Sequence, residues 1–234
     1  MTTKNSQIRA EARYLLDDNI LGKDWIKAAL INFFSSLLII LVGTSLLTFA
    51  NTTVVPFLLT LFIDTNPVLE IGITLFVELL NLALLNILIG PVSVGLAAIY
   101  TDLVRGEGKI KISKFFLGFR NFFGNFIVGM FYLLQVAVWS IFFVIPGIYV
   151  AYTYAMVFHV RRDHPEYRWK DCFDESERLM TGHRLDFFKL QISHLGWHIL
   201  GLAFMGIGTF WASAYSETST AIFYEELLEE RSQV

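Results

Sequence analysis

The lysine and arginine residues of this chain occupy three stretches and one further position. Of the 18 basic residues, five lie in residues 1–27, five in 105–120 and seven in 161–189, and the last is Arg231. Long apolar runs separate these stretches. Membrane proteins collect basic residues in their cytoplasmic loops. The distribution therefore predicts a chain that crosses a membrane several times and keeps every basic segment on one side.

The composition leads to the same class of protein. Hydrophobic residues make up 55% of the chain and charged residues 17%, whereas soluble proteins average roughly 45–50% and about 25%. A soluble chain of this length cannot enclose so much apolar surface, so part of it is expected to face lipid. The single cysteine, Cys172, excludes an internal disulfide and a cysteine-based metal cluster.

We predict an all-α fold, a polytopic transmembrane helical bundle of about six spans with both termini cytoplasmic. Residues 1–234 form a single integral membrane domain, in which 25–230 is the bundle and 105–120 and 161–186 are cytoplasmic loops. The predicted location is the bacterial cytoplasmic membrane. The spans are expected at about 25–47, 68–104, 121–145, 148–160, 187–205 and 209–228.

Residues 1–24 precede the first span and are predicted to form a cytoplasmic interfacial helix. Ile8, Ala12 and Leu15 recur at helical spacing among charges of both signs. An amphipathic helix of this kind lies on a membrane surface with its apolar side towards the acyl chains.

Glycine and proline mark the expected breaks between helices. Gly90-Pro91 predicts a kink in the second span, and Pro146-Gly147 predicts a hairpin turn. Gly206 to Gly208 predicts a second hairpin. The segment after it, 209–228, is weakly apolar and contains Glu217, so hydropathy leaves open whether it crosses.

Several short motifs resemble bacterial integral membrane proteins catalogued as domain of unknown function 975. The motifs are Gly118-Phe119, Pro146-Gly147-Ile148, Asp163-x-Pro165, Ser176-x-x-x-Met180-x-Gly182-His183-Arg184, Phe188-x-Leu190, Ser193, Gly196-Trp197-x-Ile199-Leu200, Gly206-Ile207-Gly208, Trp211, Tyr215 and Phe223-Tyr224. The family usually has proline where this chain has Ala214. The resemblance implies about six spans and a bacterial cytoplasmic membrane, and it implies no activity.

Polar side chains inside predicted spans form the first candidate site. Such groups are costly in lipid and are often functional. If their helix faces converge, they line a polar pocket suited to transport or proton relay; alternatively, they hydrogen-bond between packed helices. The candidate pocket residues are Glu78, Asn81, Asn86, Gln135, Gln191, His194 and His198.

Two cytoplasmic segments form further candidate sites. The basic connector 105–120 has phenylalanines beside its cations, so it is either an anionic-lipid contact or the topology signal alone. Its candidate lipid-contact residues are Arg105, Lys109, Lys111, Lys114 and Arg120. The amphipathic segment 161–186 is either a docking surface for a cytoplasmic protein or a helix folded back on the bundle.

No motif in the sequence indicates enzymatic chemistry. A zinc-protease helix, a phosphate-binding loop and a nucleophile elbow are all missing. We therefore expect a protein that is not an enzyme, has no cofactor and no metal site, and binds no nucleic acid. Its predicted role is structural, lipid-contacting or partner-docking. The alternative is a small transporter or channel that uses a pocket near Glu78, His194 and His198.

Overall fold

The computed structural model of the protein describes residues 2–16, 22–54, 56–57, 72, 76, 86–106, 110–203 and 206–233. These residues are all-helical and include no strand, which confirms the predicted α class. The helices are α1 (Thr2–Leu15), α2 (Lys23–Phe49, followed by a π-helical segment, Ala50–Val54), α3 (Ile89–Val104), α4 (Ile112–Phe115), α5 (Leu117–Arg120), α6 (Phe122–Phe142), α7 (Val144–Thr153), α8 (Val157–Asp163), α9 (Trp169–Met180), α10 (Arg184–Ala203) and α11 (Gly208–Ser232).

Helix α11 lies at the centre of the packing. It contacts α1, α2, α3 and α10, and buried residues recur along most of its length, among them Tyr215, Thr218 and Phe223. Its 25 residues span about 37 Å at 1.5 Å per residue. Because other helices surround it, α11 does not need a strongly apolar surface, and this explains the low hydropathy of 209–228.

Two helical hairpins form at or close to the positions that the sequence predicts. Helices α6 and α7 pack antiparallel around Phe143, whose backbone is extended. Helices α10 and α11 pack antiparallel beyond Gly206, whose φ of +79° favours glycine. Both hairpin predictions are confirmed. Gly182, with φ +88°, likewise follows the end of α9 as expected.

Proline residues lie in the first turns of helices here. Helix α3 begins at Ile89 after a turn at 86–88, so Pro91 lies in its first turn. The predicted kink at Gly90-Pro91 stays a prediction, because residues 77–85 before the turn lie outside the described part of the chain. Pro146 lies in the first turn of α7, three residues after the actual hairpin turn at Phe143. A first-turn backbone N–H has no partner within its own helix, so proline costs little there.

The predicted fourth span, 148–160, is divided between two helices. Helix α7 ends at Thr153, a turn covers 154–156, and α8 begins at Val157. The hydroxyl of Ser176 donates to the carbonyl oxygen of Thr153 at 3.2 Å. This bond from α9 satisfies a carbonyl that the interrupted helix leaves without a partner of its own.

Helices α3 and α6 cross at a glycine contact. A Cβ atom at Gly90 would lie 1.9 Å from the carbonyl oxygen of Asn125, and one at Gly129 would lie 2.6 Å from the Cα atom of Gly90. Glycine on both helices allows this backbone approach, as at many helix interfaces in membranes. The crossing fixes the start of α3 against α6.

The apolar face of α1 is buried against the bundle. Ile8, Ala12 and Leu16 are fully enclosed, and the hydroxyl of Tyr215 donates to the carbonyl oxygen of Arg9 at 3.3 Å. The stripe predicted from Ile8, Ala12 and Leu15 therefore packs mainly on protein, with Leu16 in place of the partly buried Leu15.

Two helical segments are long and apolar enough to cross a membrane. They are Lys23–Ser45 and Phe122–Ile141, and they lie within α2 and α6. Helix α3 is apolar but has only 16 residues. By length and composition alone, the described helices thus give two of the expected spans.

Candidate functional site

An ionic cluster joins α3, α4, α8 and α11. Arg105 forms a bidentate pair with Asp163, at 2.7 and 3.1 Å, and its Nε donates to Glu225 at 2.8 Å. The hydroxyl of Tyr224 also donates to Asp163, at 3.0 Å. Arg162 contacts Asp163 at 2.5 Å. These contacts connect the end of α3 to α8 and to the second half of α11.

The buried end of the ionic cluster is Asp102. This carboxylate is 6% exposed and pairs with Arg162 and with Lys114, whose Nζ lies 2.6 Å from Oδ2. A carboxylate removed from water needs such partners, because an unpaired buried charge is costly. The sequence analysis did not single out Asp102, Arg162, Asp163 or Glu225, although Asp163 belongs to a motif of the family resemblance.

The arginines set the ionisation of Asp163. Burial alone would raise the pKa of this carboxyl, but its hydrogen bonds and charge contacts with Arg105 and Arg162 outweigh burial and hold the pKa below its usual value. A depressed carboxyl pKa stabilises the fold above the ordinary pKa, and this stability is lost as the pH falls through the folded value. Asp163 is therefore charged at neutral pH.

A cavity of about 440 Å³ lies next to the ionic cluster. The side chains around it come from α3, α6, α7, α8, α10 and α11 and from the turn at 154–156. The lining residues are Ser93, Leu96, Ala97, Tyr132, Ala151, Tyr152, Ala155, Phe158, His159, Phe187, Gln191, Ser216, Glu217 and Thr220. This volume lies within the range of small-molecule sites, roughly 300–1,000 Å³.

Four polar side chains of the cavity form hydrogen bonds within the protein: those of His159, Gln191, Ser216 and Thr220. Ser216 Oγ donates to Gln191 Oε1 at 3.1 Å, and Gln191 Nε2 donates to Thr220 Oγ1 at 3.2 Å. His159 Nδ1 lies 3.0 Å from Thr101 Oγ1. Glu217 differs, because within the described part of the chain its carboxylate forms no hydrogen bond or ion pair and interacts electrostatically with the uncharged Tyr100.

Among the predicted pocket residues that the structure describes, only Gln191 lines this cavity. His194 is fully buried against the ring of Tyr215, at a centroid distance of 4.7 Å, and neither ring nitrogen has a hydrogen-bond partner among the described residues. His198, Gln135 and Asn86 are partly buried outside the cavity lining.

Two of the predicted pocket residues, Glu78 and Asn81, lie outside the described residues. Among the described residues, the carboxylate that lines the cavity is Glu217. In the sequence, the only indication of this role is that Glu217 is an isolated acidic residue near the middle of 209–228.

The basic connector divides into two groups of cations. Arg105 and Lys114 belong to the ionic cluster, so their charges serve internal ion pairs. Lys111 and Arg120 are exposed, and Ile112 and Phe116 beside them are also exposed. Lys109 lies outside the described residues. Of the candidate lipid-contact residues that the structure describes, Lys111 and Arg120, with their apolar neighbours, are therefore the ones still expected to contact lipid.

The segment 161–186 turns its apolar face inward. Cys172, Phe173, Leu179 and Met180 of α9 are buried in the main core, and Trp169 stacks on Phe131 of α6 at 4.0 Å. A protein partner would therefore meet the polar side of α9. The fold-back interpretation accounts for the amphipathic pattern.

Cys172 is expected to be almost unreactive in the folded protein. Its side chain is fully buried, and burial raises the pKa of the thiol from 9.0 to about 11, despite the nearby Arg161. Two pKa units reduce the reactive thiolate roughly a hundredfold at pH 8, in addition to steric exclusion. The check is the rate of maleimide labelling of the purified protein at pH 8, before and after unfolding in SDS.

The control for this measurement is a Ser113→Cys, Cys172→Ser protein, because Ser113 is exposed. It should label quickly in both conditions. Rapid labelling of native wild-type protein would show that α9 does not bury Cys172.

The described residues define a class: an all-helical protein with two helices long and apolar enough to cross a membrane, and with a partly polar cavity. Residues 130–231, from the middle of α6 to the end of α11, match the family model described as protein of unknown function (DUF975). The match confirms the family resemblance over this part of the chain. No curated protein and no solved structure matches the chain.

Proposed function

We propose that this is a six-span protein of the bacterial cytoplasmic membrane, with both termini cytoplasmic and a non-enzymatic, lipid-contacting role. The observation that supports this proposal is the number of large apolar side chains exposed on the outer helices, because soluble monomers rarely expose extended apolar patches. The exposed apolar side chains on α2, α6, α7 and α10 include Leu30, Phe34, Ile40, Leu41, Leu134, Trp139, Ile141, Ile145, Ile148, Ile192, Leu195, Ile199, Leu200 and Leu202.

The meeting of the basic segments supports a common cytoplasmic side. Arg105, Arg162 and Lys114 share one ionic cluster. Arg231 at the end of α11 pairs with Glu175 of α9. These contacts gather both basic loops and the last arginine at one end of the bundle, as the positive-inside rule requires of a six-span chain.

The N-terminal segment reaches the same end. The side chain of Asn5 donates to the carbonyl oxygen of Asp186, at the start of α10, at 3.3 Å. A cytoplasmic N-terminus is the arrangement that agrees with this contact and with the five basic residues of 1–27. Lys111 and Arg120 then lie where the headgroups of anionic lipids are found.

Cysteine labelling is expected to place Thr53 outside the cell and the basic loops inside. In a Cys172→Ser background, Thr53→Cys should react with an impermeant maleimide in intact spheroplasts. Ser113→Cys and Asp174→Cys should react only after lysis. All three positions are exposed on the protein surface, so accessibility to the reagent depends on the membrane.

The matched comparison is labelling of each variant after lysis, where all three should react to a similar extent. Labelling of Ser113→Cys or Asp174→Cys in intact spheroplasts would contradict the proposed orientation. Failure of Thr53→Cys to react before lysis, with normal reaction afterwards, would contradict the outer position of the link after α2.

A second candidate function is that of a small carrier. The observation in its favour is the polar cavity of about 440 Å³ among α3, α6, α7, α10 and α11. A structural bundle has no need of such a space, whereas a carrier holds its substrate in one near the middle of its helices. Uptake measured in proteoliposomes is the test of this role.

A further inference from the structure

We propose that the cavity beside Glu217 binds a small organic cation with an ammonium group. This inference rests on the second candidate function, since it names the class of ligand that the carrier would take. It differs from the pocket predicted around Glu78, His194 and His198, because Glu217 and the aromatic residues that line the same cavity supply the recognition.

The charge of the cavity selects a cation. Among the described residues that line the cavity, Glu217 is the only carboxylate and there is no lysine or arginine. Within the described residues Glu217 has no ion-pair partner, unlike Asp102, Asp163 and Glu225 of the neighbouring ionic cluster. A carboxylate held in a membrane-spanning helix without a cation is costly. A bound ammonium group would remove that cost.

Aromatic rings supply the second element of recognition. Tyr132 packs edge-to-face against Phe158 at 5.3 Å, and Tyr152 packs edge-to-face against Phe187 at 5.7 Å. All four residues line the cavity, and the pairwise packing restricts their orientations. Aromatic rings attract ammonium groups through their electron-rich faces, and sites for quaternary ammonium ligands commonly use several such rings.

The size and the hydrogen bonding of the cavity favour an organic ion over a bare metal ion. A volume of about 440 Å³ is that of a small-molecule site, whereas a metal ion needs several oxygen ligands converging on one point. The side-chain oxygens of Gln191 and Thr220 already accept hydrogen bonds. Glu217 is thus the strong acceptor left for a ligand.

Choline binding to the purified protein in nanodiscs tests this inference. The matched probe is 3,3-dimethyl-1-butanol, which has the shape of choline with carbon in place of the charged nitrogen. Titration calorimetry should show saturable binding of choline, and at least tenfold weaker binding of the neutral alcohol. Potassium chloride at the same concentration should not compete with choline.

Two variants locate the site. Glu217→Gln keeps the shape of the side chain but removes its charge, so choline affinity should fall at least tenfold. Glu229→Gln, on the exposed end of the same helix, should leave it unchanged. Ala151→Leu fills the cavity from α7 without altering its charge and should also abolish binding, which keeps the test informative if Glu217→Gln does not fold.

The outcomes separate the site from the carrier role. If choline binding depends on Glu217 but the protein takes up no choline in proteoliposomes, the binding site is supported and the carrier function is contradicted. Binding that is unchanged by Glu217→Gln and Ala151→Leu, or equal for the neutral alcohol, overturns the inference. No saturable choline binding by folded wild-type protein overturns it as well.

Discussion

Replacing Gly90 with alanine is expected to lower the melting temperature of the protein by roughly 6–12 °C. The new Cβ atom would lie 1.9 Å from the carbonyl oxygen of Asn125, a backbone atom that moves only if α3 and α6 separate. Overpacking of this kind costs about 3 kcal/mol, and each kcal/mol corresponds to about 2–4 °C in a chain of this size. Thermal unfolding in one detergent, followed by circular dichroism at the helical minimum, measures the change.

Gly196 provides the matched control, because a Cβ atom there would have no neighbour within 4 Å. Gly196→Ala lies within α10, where alanine is the better helix former, by about 0.5–1 kcal/mol. Its melting temperature should equal or exceed that of the wild type. Equal stability of Gly90→Ala and wild type would show that α3 and α6 do not approach this closely.

Replacing Asp102 with asparagine is expected to destabilise the fold by about 3–5 kcal/mol. The substitution keeps the shape of a side chain that is 6% exposed, but it leaves Lys114 and Arg162 without the buried carboxylate between them. The melting temperature should fall by roughly 6–20 °C. Because buried pairs are poorly screened, the difference should persist at high salt.

Asp174→Asn removes the same charge from an exposed position on α9 and should change the melting temperature by no more than a degree or two. This control accounts for the change in net charge. If the two variants melt at the same temperature, the ionic cluster contributes nothing to stability, and the pairing of α3 with α4 and α8 has to be reconsidered.

Predictions from the sequence succeed where one property of a residue determines the local structure. Gly206 marks a hairpin because its positive φ is rarely available to other residues. Pro146 and Pro91 mark helix starts, but a proline alone does not distinguish a kink from a first turn. That distinction depends on the preceding residues, such as Phe143, whose extended backbone ends α6.

Helix α11 shows why hydropathy does not reveal every helix of a bundle. Thr218 and Ser219 are fully buried, and their hydroxyls donate to backbone carbonyls four residues earlier. Polar residues satisfied in this way can lie inside the protein without facing lipid. A hydropathy scale counts these residues as unfavourable in an apolar environment, so a central helix scores lower than the outer helices, whose exposed side chains are apolar.

The candidate site was only partly predictable for a related reason. Gln191 was identified because it lies in a clearly apolar helix, whereas Glu217 and His159 lie in segments that hydropathy describes poorly. Their proximity depends on helices that are distant in sequence, since the cavity is lined from Ser93 to Thr220. Helical periodicity indicates which residues share a face, but not which faces meet.

The packing of α1 on α11 has a consequence for biosynthesis. Arg9 and Tyr215, which join these helices, are 206 residues apart in the chain. At roughly 5–20 residues per second, a ribosome takes about 10–40 s to make that interval. Throughout this time Ile8 and Ala12 lack the helix that later covers them. The membrane surface is the nearest apolar phase, so we expect the nascent α1 to bind there first. It would pack on the bundle only after α11 has been synthesised.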